Sequence, residues 1–346
     1  MCIPPYLSSR SKSWLKGVGK PDTDRKRRSE QYHDFRDELQ QKGYAVIKNA
    51  IPKDRALQYK QKAFDWLNSF DTAFDLDKPE TWIAENLPVM NKVRMFHAYG
   101  VVHEKFMWDA RMEPGVLDAF SKLWGTDELL VSFDCLNINL PNRPDLSARP
   151  PWQHIDQSPN KRGLHCVQGI INLCVSGPDD GGLVVYPGSH LLNDEFFDAH
   201  PNSAEKQYRN DIYLFPKDEL DWFTQRGLRP HKVCGEPGDL LLWDSRTIHY
   251  GSDSTKVGTH IRTAIYATYL PAVLANTDQL AKKKKVFEEF GSTSHWPYEH
   301  IEPGATKAKA LLPDGTIDPR AEHRKEPLEK PEYSDKLLKL AGVLPY

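Results

Sequence analysis

No stretch of this chain approaches the 18 or so consecutive apolar residues that a membrane-spanning helix needs. Its opening, Met1-Cys2-Ile3-Pro4-Pro5, lacks the apolar core of a secretory leader, and its close, Leu344-Pro345-Tyr346, is not the peroxisomal tripeptide. Cysteine is scarce: five in 346 residues, an odd number, with no two in a C-x-x-C pair. That argues against a disulfide framework and against a structural zinc site. Cys166 and Cys174 read instead as small apolar residues on strands, and a reducing cytoplasm is the expected setting. Charge of one sign is lacking too. Lysine and arginine total 46 against 48 acidic residues, a net charge of -2, so no basic field invites nucleic acid. No internal repeat is visible, which excludes a solenoid. The partner expected is a small molecule, with neither nucleic acid nor membrane; monomer and homodimer both stay open.

What is present divides by texture. Residues 1–28 are polar and end in Arg25-Lys26-Arg27-Arg28, which reads as a flexible, solvated tail before a helix. Residues 29–346 read as one domain. A helix is expected over 29–42, stopped by Gly43, then a strand at Tyr44-Ala45-Val46-Ile47. Pro52 opens a second amphipathic helix, and Pro114 a third that ends at Gly125. From about residue 128 to 270 the pattern becomes short apolar strands divided by Gly/Pro turns. They are Leu129 to Phe133, Asn137 to Leu140, Val167 to Leu173, Leu183 to Tyr186, Asp239 to Trp243 and Ile261 to Leu270. The fold class expected is mainly β with flanking helices, a sandwich or barrel. Residues 190–231 read as a helical or loop insertion, and 282–346 as a polar C-terminal tail whose last apolar stretch is a lid or packs on a helix.

One constellation carries chemistry. His154 and Asp156 stand two apart in Trp152-Gln153-His154-Ile155-Asp156, and His249 follows Trp243-Asp244-Ser245-Arg246-Thr247-Ile248. Two histidines and a carboxylate can occupy one face of an Fe(II) ion and leave positions open for oxygen chemistry. With 13 histidines and 48 acids, about two H-x-[DE] matches are expected by chance, and His300-Ile301-Glu302 is a second one. Context separates them. Residues two apart on a strand share a face, so His154 and Asp156 can reach one ion. His300 precedes Pro303-Gly304 and reads as a solvated loop histidine. His249 follows a turn, an apolar strand and a second turn.

Arg262 lies on the alternating strand His260-Ile261-Arg262-Thr263-Ala264-Ile265. An arginine pointing into a barrel needs an anion. The anion is either a carboxylate of the protein or an exogenous one, the distal carboxylate of 2-oxoglutarate. His260 shares the strand face and is either a site neighbour or core. Asn137, with Asn139, and Ser252 are candidate donors to the same co-substrate; Trp152 and Trp243 either wall the pocket or are plain core. His103 is a candidate substrate contact, with Arg111 beside it.

Taken together these residues resemble the phytanoyl-CoA dioxygenase-like Fe(II)/2-oxoglutarate oxygenases, most strongly over about residues 128–270. The resemblance rests on His154-x-Asp156, on Gly181-Gly182-Leu183-Val184-Val185-Tyr186-Pro187-Gly188-Ser189-His190, on Gly238-Asp239-Leu240-Leu241-Leu242-Trp243-Asp244-Ser245 leading to His249, and on Arg262. Lys42 to Pro52 resembles the family's opening strand and helix. More narrowly the chain looks like fungal members that serve specialised metabolism. The resemblance implies a double-stranded β-helix (jelly-roll, cupin-like) core. It implies metal ligands and catalytic residues His154, Asp156 and His249, the 2-oxoglutarate arginine at Arg262, and His190 as a structural position. Fe(II), 2-oxoglutarate and O2 would then oxidise a C–H bond by hydroxylation, desaturation or cyclisation. Substrates in view are an amino acid or a derived scaffold. Rival readings are a zinc-dependent hydrolase, which also uses two histidines and a carboxylate, a protein-directed hydroxylase, and a non-catalytic jelly-roll binding protein.

Overall fold

Leu240-Leu241-Leu242-Trp243 is apolar at every position, and a strand without a polar face must be covered on both sides. The computed structural model, which describes residues 30–204, 211–301 and 310–346, covers it so. The tail 1–28 with its basic run, Ser29 and Glu302 lie outside the described residues. The strands are β1 (Tyr44–Ile47), β2 (Leu129–Val131), β3 (Leu136–Asn139), β4 (His154–Ile155), β5 (Val167–Asn172) and β6 (Gly182–Val185). They continue with β7 (Tyr213–Leu214), β8 (His231–Lys232), β9 (Leu240–Asp244), β10 (His249–Ser252), β11 (Arg262–Tyr266) and β12 (Tyr269–Pro271). Two five-stranded sheets, ordered β1-β9-β5-β11-β3 and β7-β4-β10-β6-β8, pair antiparallel throughout. Ile170, Leu241, Trp243 and Ala264 of the first sheet meet Leu183 and Val185 of the second in one apolar cluster. Each Ile, Leu or Val among them, fully buried, contributes roughly 1.5–3 kcal/mol.

The other face of the first sheet is covered by helices. They are α1 (Phe35–Lys42), α2 (Lys53–Asn68), α3 (Lys105–Arg111) and α4 (Pro114–Trp124). Ala63, Trp66, Phe120 and Leu123 from these helices share a core with Ile171, Leu240, Leu242 and Ile265. The α1 helix begins at Phe35, later than its periodicity suggests, because the Asp34 side chain accepts from Arg36 N and caps it there. It ends at Gly43, which takes the left-handed conformation (φ 80°).

Three boundaries differ from the expectation. The apolar run 261–270 is two strands, β11 in the first sheet and β12 paired with β2. The insertion 190–231 holds the helices Asn193–Ala199 and Lys217–Gln225, and it also supplies β7 and β8, which edge the second sheet. The last helix, Asp335–Leu340, packs into the core through Leu337 and Leu340, and the Tyr346 hydroxyl donates to Leu129 O at 2.6 Å. That segment is a packed element and lines no part of the cavity described below. Among the described residues no helix is long and apolar enough to cross a membrane.

Candidate active site

The two-residue strand β4 is wedged between β10 and β7, and its register sets His154 directly opposite His249. Asp156 follows one residue past β4, its backbone N–H donating to Ser245 O at 2.9 Å. One ligand atom from each of His154, Asp156 and His249 lies within 4.8 Å of the other two, and all three residues are buried. His154 Nε2 is 3.6 Å from Asp156 Oδ1, and His249 Nε2 is 3.2 Å from Asp156 Oδ2. Each imidazole is aimed from behind: His154 Nδ1 donates to Trp152 O at 3.0 Å and His249 Nδ1 to Thr247 O at 2.9 Å. A carbonyl only accepts, so Nδ1 carries a proton and Nε2 is the nitrogen turned toward the carboxylate. Burial, with His249 nearby, lowers the His154 pKa to about 4, which keeps the ring neutral at ordinary pH. Burial pushes Asp156 up, but His154, His295 and His249 outweigh it and hold its carboxyl well below the usual range. Gln168 Nε2 adds a hydrogen bond to Asp156 Oδ2 at 2.8 Å. The result is two ring nitrogens and one carboxylate turned toward one point.

The triplet lines one wall of a cavity of about 240 Å³ between the sheets. Arg262 lines it from β11 across the way. Its guanidinium is buried, Nη1 donating to Asn137 Oδ1 and Nη2 to the Tyr266 hydroxyl at 3.3 Å. Among the described residues no carboxylate pairs with it. Asn137 and Asn139 both line the cavity. The Asn137 amide nitrogen donates one of its two N–H groups to Arg94 O at 2.9 Å, while its Oδ1 orients Arg262, so one N–H is left for a ligand. Ser252 borders the cavity, but its hydroxyl is engaged by Gly182 O at 3.2 Å and by Lys232 Nζ at 2.9 Å. Trp152 lies flat on His154, with ring centroids 4.1 Å apart and 7° between planes, and Trp243 tilts against His249 at 5.4 Å. Both tryptophans wall the cavity.

Three readings are corrected. His103 does not reach the cavity: it is 1% exposed, its Nε2 donates to Gly291 O at 2.7 Å and its Nδ1 accepts from Trp108 Nε1 at 3.3 Å. Arg111 is equally internal and donates to Val102 O and Asp134 O, tying down the loop that carries Asp134. His260 is half-exposed and pairs with Asp180 at 2.9 Å, apart from the ligands. His300 is exposed in a bend, as a solvated loop histidine should be, and it has a partner. Its Nε2 bonds Asp211 Oδ2 at 3.0 Å, within a cluster of Asp211, Glu299 and His300 that Lys161 bridges through its ammonium. Sequence reasoning missed Gln168, a polar side chain in an apolar strand, which is itself a signal. It also missed His295, whose Nε2 lies 3.2 Å from Asp156 O, and Asp134, both lining the cavity. His190 holds the α1 end, its Nε2 donating to Gln40 O at 3.0 Å.

Comparison with known proteins follows the same lines. A family model described as phytanoyl-CoA dioxygenase matches residues 39–257. "Ava biosynthesis cluster protein O" of Aspergillus versicolor is 41% identical over 276 residues, which cover 79% of this chain and 88% of that protein. A putative phytanoyl-CoA dioxygenase of Dictyostelium discoideum is 24% identical over 285 residues, 70% of this chain and 76% of that one. Among solved structures, the epimerase SnoN in complex with Fe3+, alpha ketoglutarate and nogalamycin RO has a TM-score of 0.51 at 14% identity. The match spans 87% of this chain and 94% of that one, a likeness of fold.

Proposed function

The chain belongs to the phytanoyl-CoA dioxygenase family, and from that premise we propose that it is an Fe(II)- and 2-oxoglutarate-dependent oxygenase acting on a C–H bond of a small molecule. One observation carries the reading. His154 Nε2, His249 Nε2 and the Asp156 carboxylate converge on one buried point, 3.6 and 3.2 Å apart, while both Nδ1 atoms are taken by backbone carbonyls, so the atoms that face one another are the ones able to ligate a shared cation. The donor set, two imidazoles and one carboxylate, suits Fe(II) and leaves positions open. In this reading the two facing sheets are a double-stranded β-helix, and residues 29–346 are one domain.

Bound iron, with 2-oxoglutarate and O2, supplies the oxidising power as the co-substrate is converted to succinate and carbon dioxide. The protein's own residues bind and aim. Arg262, buried without a carboxylate of its own, takes the distal carboxylate of 2-oxoglutarate, and Asn137 and Tyr266 fix the plane of its guanidinium. Trp152 O and Thr247 O set the imidazole tautomers, and Gln168 holds Asp156 in line. Trp152 shields the outer face of His154. The outcome is hydroxylation, desaturation or cyclisation. The relative from a biosynthesis cluster points to specialised metabolism, with an amino acid or derived scaffold as substrate. The partner is a small molecule, and a reducing cytoplasm suits the free cysteines.

The test separates the two halves of the site. Arg262→Ala is expected to raise the 2-oxoglutarate requirement roughly 30-fold or more, since leaving a buried charge contact unmade costs about 2–5 kcal/mol. Iron binding should stay within about threefold, as no ligand is touched. His154→Ala should abolish iron binding. Equal loss of iron and 2-oxoglutarate binding in Arg262→Ala removes its assigned role. Iron binding that survives His154→Ala leaves the zinc-hydrolase and binding-protein readings standing.

A further inference from the structure

A second cavity, about 500 Å³, adjoins the first, and Asn91 and Arg149 line both. Its walls are apolar where Leu87, Val89, Met90, Leu146 and Leu311 meet it. Its charged lining is four positive groups, Lys92, Arg94, Arg143 and Arg149, against one carboxylate, Asp145. The carboxylates paired with these arginines are Asp145, held by Arg143 at 2.6 Å, and Asp253, shared by Arg94 at 2.9 Å and Arg149 at 2.7 Å.

The guanidinium groups are not fully satisfied. Arg143 has a side chain only 4% exposed, and its Nη1 is buried with no hydrogen-bond partner. Arg149 Nη1 is likewise buried without one. A buried guanidinium N–H left unmade is costly, on the order of 1–3 kcal/mol or more for a charged group. Three guanidinium groups around one cavity, Arg94, Arg143 and Arg149, that share the two carboxylates of Asp145 and Asp253, mark a place built for an oxyanion. Burial pushes the Arg94 guanidinium below its usual value; Asp253 offsets this in part, while Arg149 and Arg143 add repulsion. An arriving anion would relieve all three.

We propose that this vestibule is a substrate-anchoring site: the substrate is an organic anion with an apolar body, its carboxylate or phosphate ester held by Arg143 and Arg149 while its reacting carbon extends into the cavity of His154, Asp156 and His249. This rests on the oxygenase reading for the second half only. The anion site stands on Arg143 and Arg149 alone. It is separate from Arg262, which lines the first cavity and not the second.

Inorganic phosphate is the probe, titrated into the full chain and followed by phosphorus NMR line width. The Arg262→Gln variant serves as the background, so that the co-substrate end contributes nothing. Phosphate binding is expected to persist in Arg262→Gln and to weaken about tenfold on adding Arg149→Gln or Arg143→Gln, in keeping with a charged hydrogen bond. Arg143 also holds Asp145, which accepts from Ala84 N, whereas Asp253 keeps Arg94 and the backbone N–H of residue 149 when Arg149 is replaced, so Arg149→Gln is the variant that disturbs the loops less. Displacement of phosphate by equimolar acetate assigns the site to carboxylates, and retention of phosphate assigns it to phosphate esters. Phosphate affinity unchanged by both vestibule variants overturns the proposal. Loss of binding in Arg262→Gln alone also overturns it, and leaves the oxygenase reading intact. Failure of the wild-type chain to bind 2-oxoglutarate, with the vestibule variants still weakening phosphate, removes the oxygenase reading and leaves the anion site.

Discussion

His103 and His154 look alike in sequence, each a histidine close to a tryptophan, yet their nitrogens are used differently. His154 keeps Nε2 open toward Asp156, whereas both nitrogens of His103 are engaged. Since the Trp108 indole can only donate, His103 Nδ1 must accept, and a second ring proton would face an N–H. Burial lowers the His103 pKa to about 3. The unfolded chain therefore takes up a proton below its ordinary value near 6.5, which the folded chain refuses until about 3, so stability falls as pH drops through that window. We expect His103→Gln to lessen the loss of stability between pH 7 and 5.5 by about 1 kcal/mol relative to wild type, measured by urea melts of metal-free protein. An unchanged pH slope would sink this account. The proposed iron ligands were legible because His154 and Asp156 are two apart around a strand end. Gln168 and His295 were not, since they meet Asp156 from 12 and 139 residues away.

At the scale of elements, the position of His249 depends on a helix cap more than 200 residues earlier in the chain. Gly43 O accepts from Asp244 N and from the Thr247 hydroxyl, both at 2.9 Å, and so fixes the turn whose Thr247 carbonyl holds His249. Gly43 is at φ 80°, and a Cβ there would stand 2.4 Å from Thr247 Oγ1 and 2.5 Å from His190 Nδ1. Gly43→Ala should cost roughly 2–4 kcal/mol through backbone strain and overpacking. It should weaken iron binding in parallel, as read by denaturant melts with and without Fe(II); lost stability with unchanged iron affinity would break the link from cap to ligand. Helix and strand identities were readable from periodicity and Gly/Pro punctuation. Strand ends were not. The run 261–270 breaks because Ala267 N turns to Gly169 O and Thr268 N to the Ser132 hydroxyl, partners that only the tertiary fold supplies.

At the scale of the molecule, Lys161 joins segments that are far apart in the chain. Its ammonium bridges Asp211 and Glu299, and it stands 4.1 Å over the Trp296 ring. Burial pulls the lysine down, but Asp211 and Glu299 hold it above its ordinary value, so it stays charged. Ile212, next to Asp211, lines the reaction cavity. Lys161→Met leaves two carboxylates facing each other and should loosen that edge of the cavity. We expect the substrate KM to rise about threefold to tenfold and 2-oxoglutarate turnover without substrate to increase, while the 2-oxoglutarate KM is unchanged. Unaltered coupling of succinate to product would show that the bridge is structural only.

The two cavities also differ in what carries them. His154, His249 and Arg262 stand on strands whose register is locked by the core between the sheets. Every residue lining the vestibule lies outside both five-stranded sheets, on the connecting segments around 84–94, 143–149 and 311–313. The division separates the inheritance of a reaction from the inheritance of a taste. On the proposed reading, insertions and exchanges in those connections would retune what the site accepts without shifting a proposed iron ligand, leaving the scaffold free to take new compounds at one unchanging chemistry.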